Sequence, residues 1–518
     1  MAQPVSLLRG ARGFAHDYPR DRMPEGLLWD MADYVPLLLD TQLTGRGGWK
    51  YASTDPLDGD IIGGIQAPFK TGERMLVVAT TGSIYQINLD GTVTNIGTIS
   101  GGVAQNPLML ADKVVFLSAT GQPPVVVTAT ASSASAAPLP GSPPAGKYGS
   151  VYKSRLMVAN FPGQEERVQF SPPLLDPAKT WDVNSWYDSS QPITGIGALR
   201  SVVLLFHAGS VERLRGSKPP DTAASDPGDF VLESLFDACG CGDAKSIAYW
   251  NDNCIFADER GVHLTDGAIV RNLIGQGGLL TYWRSLYRAR ASLAAETYLD
   301  YYVITLRDQA GVGMTLVCDL TTRSWFRFTN IRSLAYVRSV GTQENLWGGR
   351  AGTGRLTSLA ECFFPPVLGA GQSDVDDDGT PVLPSFETPW FRLQEEGRKR
   401  VRFGYLSYDA RVAGASVQAW RHDFRDPRGH DGLAAVAERT QLATESPMLE
   451  CGFITNPHDL NYTVAGTLPA TSGYTRYRLP VGRHPYGLAL RVRQVAPSVV
   501  TRVYDFALQA SVDERSRL

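Results

Sequence analysis

The chain of 518 residues is short of charge, short of cysteine and short of long apolar runs, and each shortage excludes something. Charged residues are 19% of the total and the formal net charge is -3. That balance argues against a dedicated nucleic-acid binder coated in Lys and Arg, while leaving room for a local basic patch. The six cysteines, Cys239, Cys241, Cys254, Cys318, Cys362 and Cys451, are too scattered for a disulfide framework. Cys239-Gly240-Cys241 with Cys254 lacks a fourth ligand at zinc spacing, so buried thiols are the better reading. Apolar runs such as "SVVLLF" (201–206) fall far short of the ~20 residues of a membrane helix, which predicts no membrane span. The opening "MAQPVSLLRGARGFAHDYPRDR" has no apolar core of signal-peptide length, so the expectation is a protein made in the cytoplasm.

Turn residues, by contrast, are plentiful, with 52 glycines and 33 prolines. From residue 74 to 362 they punctuate short alternating runs: "RMLVVATTGSIYQINLDGTVTNIGTI" (74–99), "DKVVFLSATGQPPVVVTAT" (112–130) and "SRLMVANFPGQEERVQFS" (154–171). The same pattern returns in "SVVLLFHAGSVERLRGS" (201–217), "NCIFADERGVHLTDGAIVRNL" (253–273), "DYYVITLRDQAGVGMTLVCDLTTRSWFRF" (300–328) and "ENLWGGRAGTGRLTSL" (344–359). β-branched and aromatic residues alternate with polar ones, and Gly sits where a hairpin needs positive φ. Units of roughly 30 to 50 residues match the period of propeller blades, each of about four strands. The sequence therefore predicts an all-β protein built on a six- or seven-bladed β-propeller over 74–362. An N-terminal arm or collar (1–73), a Pro/Gly/Asp-rich linker (363–385) and a C-terminal β-sandwich-like domain (386–518) complete it. The Ala/Ser/Pro stretch 129–146 reads as a loop between blades, and 275–296 as the one helical segment.

Catalytic motifs are missing, and the reading is not an enzyme and without a cofactor. "GSPPAGKY" (141–148) has the Gly and Lys spacing of a phosphate loop, but Tyr148 stands where a magnesium-binding Ser or Thr belongs. His422 and His430 fall in a charged loop and read as solvated. Asp374, Asp376 and Asp378 before Gly379 open like a calcium loop, but the twelfth position is Ser385 in place of a bidentate Glu. An acidic turn is the better reading, and these three remain weak metal candidates. Arg398, Lys399, Arg400 and Arg402 cluster beside Glu395 and Glu396, and fit either contact with a partner or DNA phosphate, or a solvated strand start. Trp181, Trp186 and Tyr187 in "TWDVNSWYD" suit either glycan contact or packing at a blade edge.

"VYKSRLMVA" (151–159) leads into "VQFSPPLLDPAKTWD" (168–182), then "PITGIGALRSVVLLFHAGSVERLRG" (192–216), "CGDAKSIAYWNDNCIFADERGVHLTDGAIVRNL" (241–273) and "VCDLTTRSWFRF" (317–328). In order and pattern these segments resemble the tail nozzle (packaged-DNA stabilisation) proteins of short-tailed bacteriophages and related β-propeller tail proteins of long-tailed phages. The likeness covers about two thirds of the chain, mainly 150 to 400. It implies a structural virion protein: a homo-oligomeric ring, by resemblance a hexamer, below the portal and adaptor. Its neighbours would be other tail proteins such as adaptor, fibre or spike, with non-specific contact to the packaged DNA it retains and conducts. A distal or minor tail protein touching the host surface is the alternative, and a carbohydrate-active propeller enzyme a weaker third.

Overall fold

The computed structural model describes residues 5–6, 13–19, 22–24, 26–37, 42–88, 90–131, 133–176, 179–219, 228–339, 345–363, 376–389, 391–392, 399–412, 449–454, 463–468, 475–480, 487–494 and 499–512. It divides into two compact units. One holds Tyr51–Arg323 and Asn330–Ala360; the other gathers Met1–Lys50, Ser324–Thr329 and Glu361–Leu518.

The first unit is a β-propeller of seven blades in chain order, the strands within each blade antiparallel. Blade 1 is Ile61–Phe69, Gly72–Ala79, Ser83–Ile87 and Val93–Thr98. Blade 2 is Leu108–Leu110, Lys113–Phe116, Val125–Ala129 and Ala134–Pro138. Blade 3 is Tyr148–Tyr152, Arg155–Phe161, Gln164–Phe170 and Trp186–Asp188. Blade 4 is Gly195–Ala198, Val202–Phe206, Val211–Arg215 and Val231–Phe236. Blade 5 is Ala248–Trp250, Asn253–Asp258, Gly261–Thr265 and Val270–Asn272. Blade 6 contributes Arg290–Tyr298, Tyr301–Asp308 and Gly313–Asp319, and blade 7 Ser333–Ser339, Trp347–Arg350 and Arg355–Ser358.

A row of apolar seams makes the ring. Leu76, Ile84, Val114 and Phe116 join blades 1 and 2, and Leu108, Val115, Leu156 and Val158 join blades 2 and 3. Met157, Phe170, Val203 and Leu205 join blades 3 and 4, and Leu204, Phe206, Cys254 and Phe256 join blades 4 and 5. Ile61, Val77, Val337 and Leu356 close the circle between blades 7 and 1. Each such buried side chain contributes about 1.5–3 kcal/mol over leaving it in water, which is why neither face of a blade can stand alone. The first strands of blades 7 and 1 run parallel, with Val337 opposite Gly64. The segment just ahead of blade 1 also lies along the outer strand of blade 7: Ala52 N donates to Leu356 O at 2.8 Å and Leu57 N to Gly354 O at 2.8 Å. The ring is thus fastened by chain from both of its ends.

First-to-second-strand turns use two left-handed residues in succession, Ala111-Asp112, Lys153-Ser154 and Asn251-Asp252. That is the type I′ geometry whose twist matches a hairpin. On this turn face each of blades 1 to 5 grips the next. Lys70 N donates to Asp112 Oδ1 (2.7 Å), Lys113 Nζ to Leu175 O (2.9 Å), and the Tyr152 hydroxyl to Ser201 O (3.0 Å). Arg213 Nη1 donates to Gly267 O (3.1 Å) and Trp250 Nε1 to Asp300 Oδ1 (3.0 Å).

The second unit has two large sheets, besides the two-stranded pairs Gly13–Phe14/Leu27–Leu28 and Asp376–Asp377/Thr380–Pro381. One orders Thr475–Pro480, Lys399–Val412, Val499–Val512, Gln42–Gly45 and Tyr34–Leu37; the other orders Ser324–Phe328, Asp30–Ala32, Ser385–Glu387, Gly487–Gln494, Leu449–Ile454 and Thr463–Leu468. Asp33, at φ 58, is the left-handed corner where the chain passes from the second sheet to the first. Beside it Tyr34 and Phe386, one from each sheet and both buried, meet edge to face at 5.6 Å. This is the sandwich-like arrangement the alternating C-terminal strands imply.

Four details differ from the sequence reading. Blade 1 begins at Ile61, ahead of residue 74, and residues up to Lys50 share a unit with the C-terminal strands instead of forming a separate collar. Residues 363–385 are no plain linker, since the hairpin Asp376–Asp377/Thr380–Pro381 folds within the sandwich unit. Within the low-complexity stretch, Ala134–Pro138 is the outer strand of blade 2, its small side chains fitting against Gly97 of blade 1. The helical segment is two short helices, α1 (Leu273–Gln276) and α2 (Leu280–Ala289), and the chain then turns into strand, where Leu293–Leu306 and Ala295–Ile304 pairing decides the conformation.

Candidate functional site

The innermost strands of the blades lie nearest the propeller axis. They approach closely because glycine lines them: a Cβ on Gly64 would lie 2.9 Å from Val337 Cγ2, and one on Gly149 3.2 Å from Leu108 Cδ1. Gln105 fills the gap beside Gly149, donating to its carbonyl at 2.9 Å and accepting from its amide at 3.0 Å. Tyr249 of blade 5 reaches sideways until its hydroxyl accepts the Ala198 amide of blade 4 at 3.1 Å. Arg338 comes from blade 7, places its guanidinium 5.3 Å from the Tyr249 ring centroid, and donates to Ile247 O at 3.0 Å. Glu296 of blade 6 completes the group, with Oε2 3.7 Å from Arg338 Nε.

Glu296 is 4% exposed, and burial pushes its carboxyl upward against the pull of Arg338. Desolvation likewise pushes the Tyr249 phenol up to about 12, which keeps it a neutral hydrogen-bonding group. One carboxylate, one guanidinium and one ring, from blades 6, 7 and 5, tie the first strands of three neighbouring blades together. Glycoside hydrolysis calls for a second carboxylate about 5–10 Å away. The charged partner that Glu296 has here is Arg338.

The sandwich unit holds the densest polar centre. The Arg46 guanidinium, with no exposed side-chain surface, donates from Nε to Asp33 Oδ1 (2.7 Å), from Nη1 to Asp377 Oδ1 (2.8 Å) and from Nη2 to Asp377 Oδ2 (2.7 Å). Nη2 also donates to Thr329 O (2.9 Å), and the Thr329 amide and hydroxyl both donate to Asp33. The two carboxylates hold the Arg46 guanidinium charged against the cost of burial. A Cβ on Gly48 would collide with the Asp376 carbonyl, so only glycine lets the 376–381 hairpin lie so close.

This decides where the sequence candidates sit. Asp376 and Asp378 flank the residue that points inward, Asp377; Asp376 Oδ1 accepts the Gly379 amide at 3.2 Å and Asp378 is an exposed left-handed turn residue. Asp374 lies outside the described residues. Among the described residues no cluster of three metal-ligating side chains occurs. Lys399, Arg400 and Arg402 lie on the long strand Lys399–Val412, with Arg402 at a register shift opposite Ala510 and Gln509; Arg398, His422 and His430 lie outside the described residues. Trp181 is buried in the seam of blades 2 and 3, and Tyr187 packs on Phe170 and Phe230. Trp186 is covered by the Arg167 guanidinium, 3.6 Å from its ring centroid. All six cysteines are buried and free, with burial pushing the Cys239 and Cys241 thiols up to about 12.

Sequence reading missed both polar centres. Tyr249, Glu296 and Arg338 each stand a blade apart, and Arg46 meets Asp377 across 331 positions, so no local spacing announces them.

No family model matches the chain, and no curated protein matches it. Among solved structures, a chain of the crystal structure of BBS1N in complex with ARL6DN, soaked with mercury, aligns with a TM-score of 0.38 at 10% identity. The alignment covers 60% of this chain and 96% of that one. A likeness of that strength carries no functional argument, and the propeller assignment rests on the sheets themselves.

Proposed function

We propose that this chain is a structural component of a bacteriophage tail, the nozzle that forms a ring below the portal and adaptor and helps retain and conduct packaged DNA. The observation that carries the reading is architectural. A closed propeller is inserted into a two-sheet unit assembled from both flanks of the chain, in the segment order that the sequence resemblance rests on. Such a body offers the two-sheet unit for assembly and the rigid propeller for shape. Blade-to-blade hydrogen bonds on one face and the Arg338–Tyr249 contact between blades make the propeller stiff. A wall of low net positive charge suits release, since many phosphate contacts would hold the duplex.

The reading is tested by immunogold electron microscopy with antibodies raised to the purified chain and applied to particles from the source culture. Label at the end of a short tail is the expected result. Label at the tip of a long tail would transfer the chain to the distal class, whose aromatic candidates Trp181 and Tyr187 are taken up in packing. Unlabelled particles would sink the virion reading.

A further inference from the structure

We infer that blades 5 and 6 carry two complementary surfaces, one on each face of the propeller, through which one copy of this chain docks head-to-tail on a second copy. On the face that holds the first-to-second and third-to-fourth strand turns, the tips are Asn251-Asp252, Asp266–Ile269 and Leu299-Asp300. Asp252, Asp266 and Asp300 are exposed there, and backbone amides of Ala268 and Ile269 hold the Asp266 carboxyl below its ordinary range and therefore charged. Between them Ile269 and Leu299 are 52% and 51% exposed, large aliphatic side chains left in water at the tips of tight turns. Of the cations near these turns, Arg323 is hydrogen-bonded to Gln276, and the exposed Arg271 adds its pull on the Asp266 carboxyl.

The opposite face of the same two blades has the opposite sign. Helix α2 carries Arg284 and Arg288 on its outer side and no acidic residue, while Trp283 and Tyr287 anchor its inner side. Trp283 Nε1 donates to Asp258 O at 2.8 Å, which places the helix against the second-to-third strand turn of blade 5. Arg260 and Arg332 are exposed on this face, with Glu259 paired to Arg288. Val312, 64% exposed at the matching turn of blade 6, is the aliphatic counterpart.

An acidic, aliphatic patch and a basic, aliphatic patch on opposite faces of one body cannot satisfy each other within a copy. They can satisfy each other between copies. Such a contact is heterologous, so it propagates, closing into a ring if the rotation per copy permits and running on as a filament if it does not. Charge complementarity sets the register of the encounter, and the exposed aliphatics supply surface to bury. The proposal rests on the nozzle reading only for its destination, a closed ring; the contact itself is tested on the purified chain.

The test is sedimentation velocity at low and moderate salt on three proteins. These are the wild-type chain, a turn-face variant carrying Asp252→Lys and Asp300→Lys, and a helix-face variant carrying Arg284→Glu and Arg288→Glu. The wild type should associate, and each variant alone should associate roughly 10-fold more weakly or worse, because like charges now face each other. Mixed in equal amounts, the two variants should recover association, since the reversed turn face meets the reversed helix face. A folding defect cannot produce that rescue. If the double turn-face variant does not fold, Asp252→Lys alone takes its place, its turn being set by backbone conformation. Three results would each overturn the proposal: a wild type that stays monomeric at every concentration, variants that associate as the wild type does, or a mixture without rescue. Failure of particle labelling alongside a positive rescue would remove the tail reading and leave the contact standing.

Discussion

The two units solve the same problem, a stable all-β body, by opposite means. The propeller is built from neighbours: strand pairs with next strand and blade packs on next blade, with aliphatic and aromatic seams from blade 1 to blade 5 and between blades 7 and 1. The sandwich unit is built from strangers, three stretches far apart in sequence, joined at a buried ion cluster that includes Arg46, Asp33, Thr329 and Asp377. Hydrophobic seams are forgiving, because each of many side chains carries a share. A buried charge held by two carboxylates is not, because its loss strands its partners.

The contrast is most easily broken at Arg46. Arg46→Met leaves Asp33 and Asp377 buried without their cation and should cost about 3–5 kcal/mol. In urea unfolding followed by limited proteolysis, cleavage should concentrate in the sandwich unit while propeller segments stay protected. Equal loss in both units would erase the distinction. Next in size is the ring closure. Leu356→Ala opens a cavity in the seam of blades 7 and 1 and should cost about 2–5 kcal/mol, read as a lower urea midpoint.

Glu296 sharpens the comparison through pH. Its folded pKa is raised by burial above the ~4.3 of an unfolded glutamate. A raised acid pKa means the native state binds the proton more tightly, so stability falls as pH climbs from the unfolded value through the folded one and is level above it. Glu296→Gln removes that loss. The variant should melt above the wild type at pH 7, with the gap shrinking toward pH 4; a gap that is constant or grows on acidification would contradict the sign. The smallest effect is at Tyr249→Phe, which strips the acceptor from the Ala198 amide and should cost about 1 kcal/mol in the same melts.

What was legible in the sequence follows the same division. Blades could be read because a hairpin is local: Asn251-Asp252 or Asp266-Gly267 between alternating runs specifies its own turn and register. The strand Ala134–Pro138 escaped because Ala and Ser have little strand preference of their own, and pairing with Val125–Ala129 supplies it. The helical reading of 275–296 ran past Ala289 because Leu293, Ala294 and Ala295 suit a helix locally and are overruled by the neighbouring strand of blade 6. In the acidic turn the alternate aspartates drew attention, whereas the inward one is Asp377, selected by an arginine that no window of neighbouring residues contains. The sandwich partners of Asp30–Ala32 lie hundreds of positions away, at Ser385–Glu387, beyond the reach of periodicity.

The fastening of the ring by Ala52–Leu57 has a consequence in time. The partners of this segment in blade 7 emerge from the ribosome roughly 300 residues later, which at typical synthesis rates is about 15–60 s. For that interval blade 1 presents Ile61, Val77 and Val337's future contact surface to solvent, and the nascent wheel is an open horseshoe with two unpaired rims. Two growing chains on one message could close each other's gap as readily as their own. The clasp that makes the finished wheel rigid therefore makes its synthesis the step most exposed to crowding, and the one where a chaperone would earn its place.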